Sequence, residues 1–428
     1  MSDSELEREL RQALDEVYQP APWLLSRALT AVRVDRHAHR PWAVVAGFAA
    51  AVIAVSAIGV VWLGGVHGRV HTPVPANAGF PETPAPLTGQ LPLITNPPPY
   101  RADPAIAYDP LTRQTIMFGG LPGGRADTWA WDGQAWRPLD EAVHPHGRFG
   151  ASMAFDPVLQ GIVMIGGNPN SSTDAGVDAD MRATWLWQGG SWRRIPTAHT
   201  PVPPNYAFFW GASMAYDGQT GELVLVSVQG MTHFRQCSAD TWTFNGSDWE
   251  HRSLAQPLPA SIRLVVSDGP NGHVLVLMNP REAVAPAGFV TTSCPAGSPE
   301  ARALPGPSTW QWSGSAWTEL GGSQSPSPGA TRGDVGATVL GNHAAVVTDD
   351  GTVWIWTGSR WSPTSSANPP GPRTGAGVAE DRNGRLLVFG GFLEQPELYL
   401  DSTWLWDGAN WKQVPSKPNA SAPATASR

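Results

Sequence analysis

Trp129-Ala130-Trp131-Asp132-Gly133-Gln134-Ala135-Trp136 is the stretch that decides how this chain folds, because its plan recurs five more times. The plan is an aromatic, a glycine two residues on and a tryptophan five residues on. Its copies are Trp131-Gly133-Trp136, Trp187-Gly189-Trp192, Phe244-Gly246-Trp249, Trp312-Gly314-Trp317, Trp356-Gly358-Trp361 and Trp406-Gly408-Trp411. A further tryptophan stands two residues upstream of each copy, at 129, 185, 242, 310, 354 and 404. The plan takes up 17 of the 21 tryptophans, and successive copies lie 44 to 68 residues apart. That period marks a repeat in which each copy is one supersecondary unit burying its apolar faces against its neighbours.

Each unit reads as four short strands. Ala105-Ile106-Ala107-Tyr108, Ala151-Ser152-Met153-Ala154-Phe155 and Ala212-Ser213-Met214-Ala215-Tyr216 open the first three units, and Asp109-Pro110, Asp156-Pro157 and Asp217-Gly218 turn them. Aliphatic runs follow at 115–118, 162–165 and 223–226. Runs of four or five residues bounded by Gly, Pro and Asp are strands rather than helices. Trp-x-Trp is then the third strand, with both rings on one face. The glycine supplies a tight hairpin, and the last tryptophan opens the fourth strand. Six such units with no helix between them predict an all-β, six-bladed β-propeller.

The residues resemble the kelch family and the related central domain of galactose oxidases. The double glycine of that family after the second strand stands at Gly119-Gly120, Gly166-Gly167 and Gly390-Gly391, whereas the middle three units carry Ser227-Val228, Met278-Asn279 and Thr348-Asp349. The resemblance covers residues 100–414 and implies a fold; kelch propellers serve as binding modules, scaffolds and occasional enzymes.

Ahead of the repeats, Ala43 to Leu63 is uncharged and long enough to span a bilayer, giving a transmembrane helix at 42–64. Arg33, Arg36 and Arg40 on its N-terminal side, against Arg69 alone on the other, orient the N-terminus to the cytoplasm and the propeller outside the cell membrane. The competing reading is a cleaved signal peptide, for which the leading region and the apolar run are both too long. Residues 1–41 predict a short helical segment, with a Ser4-x-x-Glu7 capping box. Residues 65–99 form a Pro-rich linker and 415–428 a disordered tail.

A net charge of −8, with Lys412 and Lys417 the only lysines, leaves no basic field for nucleic acid. Cys237 and Cys294 fall between the second and third strands of adjacent blades, which predicts a disulfide in an oxidising compartment.

If the first strand runs from face A to face B, the loops between second and third strands and the connectors between blades all emerge on face A. The long insertions at 168–182, 229–239, 280–307 and 392–400 are all of that kind, and recognition usually resides in such loops. Arg101, Arg148, Arg332 and Arg373 precede first strands and start at the channel mouth. They are candidate ligands for an anion such as a carboxylate or acidic sugar, the other reading being that each bonds backbone carbonyls of a neighbouring blade. Asp174, Asp178 and Asp180 suggest calcium or, more simply, a solvated acidic loop.

The tyrosines and histidines do not match a galactose-oxidase copper site, no sialidase turn motif occurs, and no nucleophile elbow or phosphate loop is present. The sequence therefore names no catalytic residue, metal or cofactor. It predicts a membrane-anchored propeller that binds an extracellular protein or glycan. The alternatives are an extracellular carbohydrate-active enzyme with its site at the channel mouth, and a signalling receptor with a cytoplasmic partner.

Overall fold

The structure is a computed structural model, and it describes residues 84–169, 175–202, 213–227, 239–256, 258, 262–278, 307–320, 325–326, 334–394 and 396–417. They fall in one compact unit, 73–428. Six four-stranded antiparallel sheets, or blades, occupy 105–139, 152–195, 213–251, 262–319, 334–363 and 377–413, with strands in sequence order within each. The first strand of every blade packs against the first strand of the next, and blade 6 meets blade 1 in the same way, so the ring closes. This is the six-bladed propeller that the repeat implies.

The core lies in six seams. At the seam of blades 1 and 2, Trp185, Trp187 and Trp192 pack on Ile116, Phe118 and Ala130. At the seam of blades 6 and 1, Trp129, Trp131 and Trp136 pack on Leu387, Phe389 and Leu405. In both, the rings of a blade fill the gap to the blade before it. Trp-x-Trp places its rings toward that gap because strand side chains alternate, and the turn returns the last tryptophan beside them, as with Trp131 and Trp136, whose ring centroids are 5.5 Å apart.

A buried indole N–H must also find an acceptor. The last tryptophan of each blade finds it in the preceding blade, at the threonine just ahead of Trp-x-Trp. Trp192 Nε1 donates to Thr128 Oγ1 (3.0 Å), Trp249 to Thr184 (2.8 Å), Trp317 to Thr241 (2.9 Å), Trp361 to Thr309 (3.0 Å) and Trp136 to Thr403 (3.1 Å). Blade 5 has Val353 at that position, and Trp411 Nε1 donates to the Gly351 carbonyl instead, at 2.9 Å. The middle aromatic does not share this partner: in blade 6 Trp406 Nε1 donates to Ser366 Oγ at 2.9 Å. Trp131 and Trp312 have unpaired Nε1 atoms, and blade 3 does without an indole there, using Phe244.

On face B the turns are short and pinned by side chains. Asp109 Oδ1 accepts from the Leu111 and Thr112 N–H groups, and Asp381 Oδ1 from those of Asn383 and Arg385. Such Asx turns hold strand ends at a fixed angle.

Four features depart from the sequence expectation. Within the linker predicted to residue 99, residues 85–94 lie along blade 6: Ala85 N donates to Asn383 O, Leu87 N to Asp407 Oδ2 and Ile94 N to Pro415 O. Ile94 and Ser416 form a parallel bridge, so 415–417 belong to this packed edge rather than to a tail. The insertion of blade 2 contains a helix, Ala175–Met181, and the insertion of blade 6 is a β-hairpin, Phe392–Glu394 with Glu397–Tyr399. No helix among the described residues is long and apolar enough to cross a membrane, and the 42–64 segment lies outside them.

Thr241→Val keeps the shape at the seam of blades 3 and 4 but strands the Trp317 N–H, and should cost about 1–3 kcal/mol in denaturant unfolding. Trp317→Phe should likewise cost about 1 kcal/mol more than Trp312→Phe, since both remove the same volume and only the first breaks a bond.

Candidate functional site

The arginines proposed to ring the channel mouth do sit at the starts of blades, but three of them turn inward. Arg101, Arg148 and Arg373 are buried. Each donates from Nε to the carbonyl two residues before it, those of Pro99, His146 and Gly371. Each donates from Nη1 to the carbonyl of the first glycine of its own blade's glycine pair: Gly119 at 2.9 Å, Gly166 at 3.0 Å and Gly390 at 3.1 Å. The carbonyl reading is therefore the one observed, within the same blade rather than a neighbouring one.

Two of the three also hold a carboxylate. Arg101 grips Asp127 by both Nη atoms (3.0 and 2.8 Å), and Arg148 pairs with Asp180, which Arg194 also engages. The expectation that Arg101 and Arg148 bind a ligand is thus corrected, because their forks are already filled. Arg332 lies outside the described residues. Burial lowers Arg148 and Arg373 to about 10, which leaves both charged at neutral pH.

The arginines and the glycine pairs form one device. Gly119 and Gly390 are left-handed (φ 72° and 70°), and a side chain on either would strike the carbonyl of the next blade's arginine, Arg148 or Arg101. The second glycines close the joint: Gly120 N donates to Arg148 O (2.9 Å) and Gly391 N to Arg101 O (2.8 Å). A signal for this was present in the sequence, since the glycine pairs occur in the same three blades, 1, 2 and 6, whose arginines stand eight residues before an aspartate.

What the inward arginines leave at the mouth is a carboxylate. Asp103 is left-handed (φ 50°), as are Gly150 and Gly375 at the same position in blades 2 and 6. The three make a backbone chain across the mouth: Asp103 N donates to Gly375 O (2.6 Å) and Gly150 N to Asp103 O (2.8 Å). The Asp103 carboxylate rests against Gly375, where a side chain would collide with it. Burial pushes it up to about 6. The sequence reading missed it, although Arg-x-Asp against Arg-x-Gly in the other two blades was the available signal.

Beside it on face A, the blade 6 hairpin and the blade 1 residues next to it form an aromatic row. Phe392 packs on Tyr399 (5.0 Å between ring centroids), Tyr399 lies near Tyr100 (6.3 Å) and the Arg125 guanidinium sits over Tyr100 (5.6 Å). All four residues are part-exposed, and Leu398 at the hairpin is 41% exposed. Arg101 N donates to Leu400 O (2.9 Å), which fixes the hairpin on blade 1. The seam of blades 6 and 1 therefore gathers aromatic faces, one guanidinium and one carboxylate on one surface.

The raised carboxyls Glu380 and Asp381 are out of reach. Glu380 takes the place in blade 6 that Tyr108 and Tyr216 take in blades 1 and 3. It is fully buried, bonds the Gly341 N–H at 3.3 Å, and is pushed well up by burial and by Asp381. Asp180, weighed as a calcium ligand, is committed to Arg148 and Arg194, and no metal-holding group of His, Cys, Asp and Glu occurs among the described residues. Cys237 and Cys294 lie outside the described residues.

No known protein-family model matches the chain, and no curated protein matches it. Among solved structures it is similar to the SapL1 lectin in complex with alpha methyl fucoside, at 15% identity and a TM-score of 0.43 over 74% of this chain and 96% of that one. It is also similar to YCF48 bound to D1 peptide, at 12% identity and a TM-score of 0.36 over 77% and 86% of the two chains. The WD40 β-propeller domain of Doa1 shows 12% identity and a TM-score of 0.39 over 78% and 88%.

Two measurements check this account. Arg148→Ala, which removes a buried charge from Asp180, should destabilise the fold by about 3–5 kcal/mol rather than act on binding alone. Asp103 holds its proton more tightly folded than unfolded, so its contribution to stability falls as pH rises from about 4 to about 6. Asp103→Asn tolerates the left-handed backbone and removes that titration. The variant should gain stability over the parent across that window, and a constant difference would show that Asp103 is not desolvated.

Proposed function

We propose that this chain is a membrane-anchored binding module, a kelch-like propeller held outside the cell that engages a protein or glycan through face A at the seam of blades 6 and 1. The observation that carries this is the row Phe392, Tyr399, Tyr100 and Arg125, the first two on a hairpin locked to blade 1, which bears the other two. Rigid, part-exposed aromatics with an adjacent cation suit sugar faces and peptide side chains at low ordering cost. Glu380 and Asp381, the pair of raised carboxyls nearest an acid–base arrangement, are fully buried, which favours binding over catalysis.

Anchoring rests on the uncharged 43–63 run and the arginine excess before it. Protease added to the outer face of the membrane should remove the propeller and spare the N-terminal tail; digestion of the tail alone overturns that orientation. The same compartment supports a Cys237–Cys294 bridge, worth roughly 4 kcal/mol in the chain-entropy model. Two alkylatable thiols in unreduced, denatured protein from its native membrane would exclude it.

Glycan and peptide arrays probed with the purified protein test the binding reading. Tyr100→Ala with Tyr399→Ala should weaken any captured partner by about tenfold or more without unfolding the ring, as neither ring belongs to a seam core. Undiminished capture by that variant removes face A of this seam as the site.

A further inference from the structure

Three blades build the same cradle, and only one leaves it empty of a carboxylate. In blade 1, Asp127 accepts from Arg101 Nη1 and Nη2 and from Trp129 Nε1 (2.7 Å), while Arg101 Nη1 also reaches the Gly119 carbonyl. In blade 2, Ala183 stands where blade 1 has Asp127, and the helix 175–181 delivers Asp180 to Arg148 instead. Two different routes have thus supplied the same partner to the same guanidinium.

Blade 6 repeats the donors without the acceptor. Arg373 Nη1 reaches the Gly390 carbonyl (3.1 Å), and its guanidinium lies 5.9 Å from the centroid of the Trp404 ring. Ser402 stands at the Asp127 position. Its hydroxyl accepts from Arg373 Nη1 (3.2 Å) and Trp404 Nε1 (3.3 Å), both longer than the corresponding bonds in blade 1. No carboxylate pairs with Arg373 among the described residues, and its Nη2 makes no hydrogen bond there, although the residue is only 6% exposed.

We propose that the Arg373–Trp404–Ser402 cradle of blade 6 binds a carboxylate carried by the partner, as a uronic or other acidic sugar or as an acidic peptide side chain. The carboxylate takes the place that Asp127 takes in blade 1, one oxygen facing Arg373 Nη1 and the other shared between Nη2 and the Trp404 indole N–H. The fork geometry of guanidinium and carboxylate makes such a pair both strong and directional. The cradle lies on face A beside the blade 6 hairpin, since Thr374, next to Arg373, bridges Phe392. The proposal rests on the binding reading above and gives it a ligand chemistry.

Full-length protein titrated with sodium glucuronate and with acetate, against glucose and sodium chloride at matched ionic strength, tests it by calorimetry and by the thermal midpoint. Both carboxylates should bind saturably and raise the midpoint, whereas glucose and chloride should not. Ser402→Asp supplies the cradle with its own carboxylate, and should abolish the response while raising the midpoint by itself. Arg373→Lys keeps the charge but loses the fork, and should weaken glucuronate by about tenfold or more. Equal responses to glucuronate and glucose, or a response that survives Ser402→Asp in a folded protein, overturn the proposal. If array capture persists while carboxylates are ignored, the binding reading stands and this inference fails; if capture is lost with Tyr100 and Tyr399 while the carboxylate response remains, the two sites are separate.

Discussion

An indole N–H buried between two sheets can be satisfied only if the sheets sit at one separation and one register, and the rest of this molecule follows from that constraint. The apolar part of each tryptophan supplies area, roughly 150–250 Å² per ring, but area alone tolerates sliding. Hydrogen bonds such as Trp192 to Thr128 and Trp249 to Thr184 do not. Leaving one unmade costs about 1–3 kcal/mol, and the geometry repeats at every seam. Where the threonine is replaced, at Val353, a backbone carbonyl takes over and the seam keeps its shape.

The rings were legible in the sequence because their spacing is fixed by a four-strand unit and a two-residue turn. The threonines were not, because a single hydroxyl ahead of an aromatic pair is chemically unremarkable until its partner, more than fifty residues away, is placed beside it. The arginines show a different limit. Position put Arg101, Arg148 and Arg373 at the mouth, but a long side chain chooses its direction by where acceptors lie, and the glycine carbonyls and Asp127 or Asp180 lie inward. Asp103 was missed for the complementary reason. It occupies a position that is glycine in two sister blades, so its meaning is visible only as a difference between copies.

The candidate site inherits its rigidity from this arrangement. The hairpin of blade 6, the arginine of blade 1 and the glycine pairs are tied by backbone bonds across the seam, so the aromatic row is held by a scaffold rather than by its own contacts. That is an economical way to place binding groups, because little ordering entropy remains to be lost when a partner arrives.

The packed edge at 85–94 and 415–417 describes how the circle ends. No strand is exchanged between the first and last blades; blade 6 is made wholly from the C-terminal stretch. Five of the six joints are crossed by a connector between successive blades, whereas the joint between blades 6 and 1 is crossed by the segment that leads from the packed edge at 85–94 into blade 1. There the last blade is held to the first by side chains and by hydrogen bonds to that leading segment, like a bracelet with a clasp. Any molecule that grips both sides of that clasp is thermodynamically coupled to its closure, so occupancy of this face also sets how often the bracelet opens.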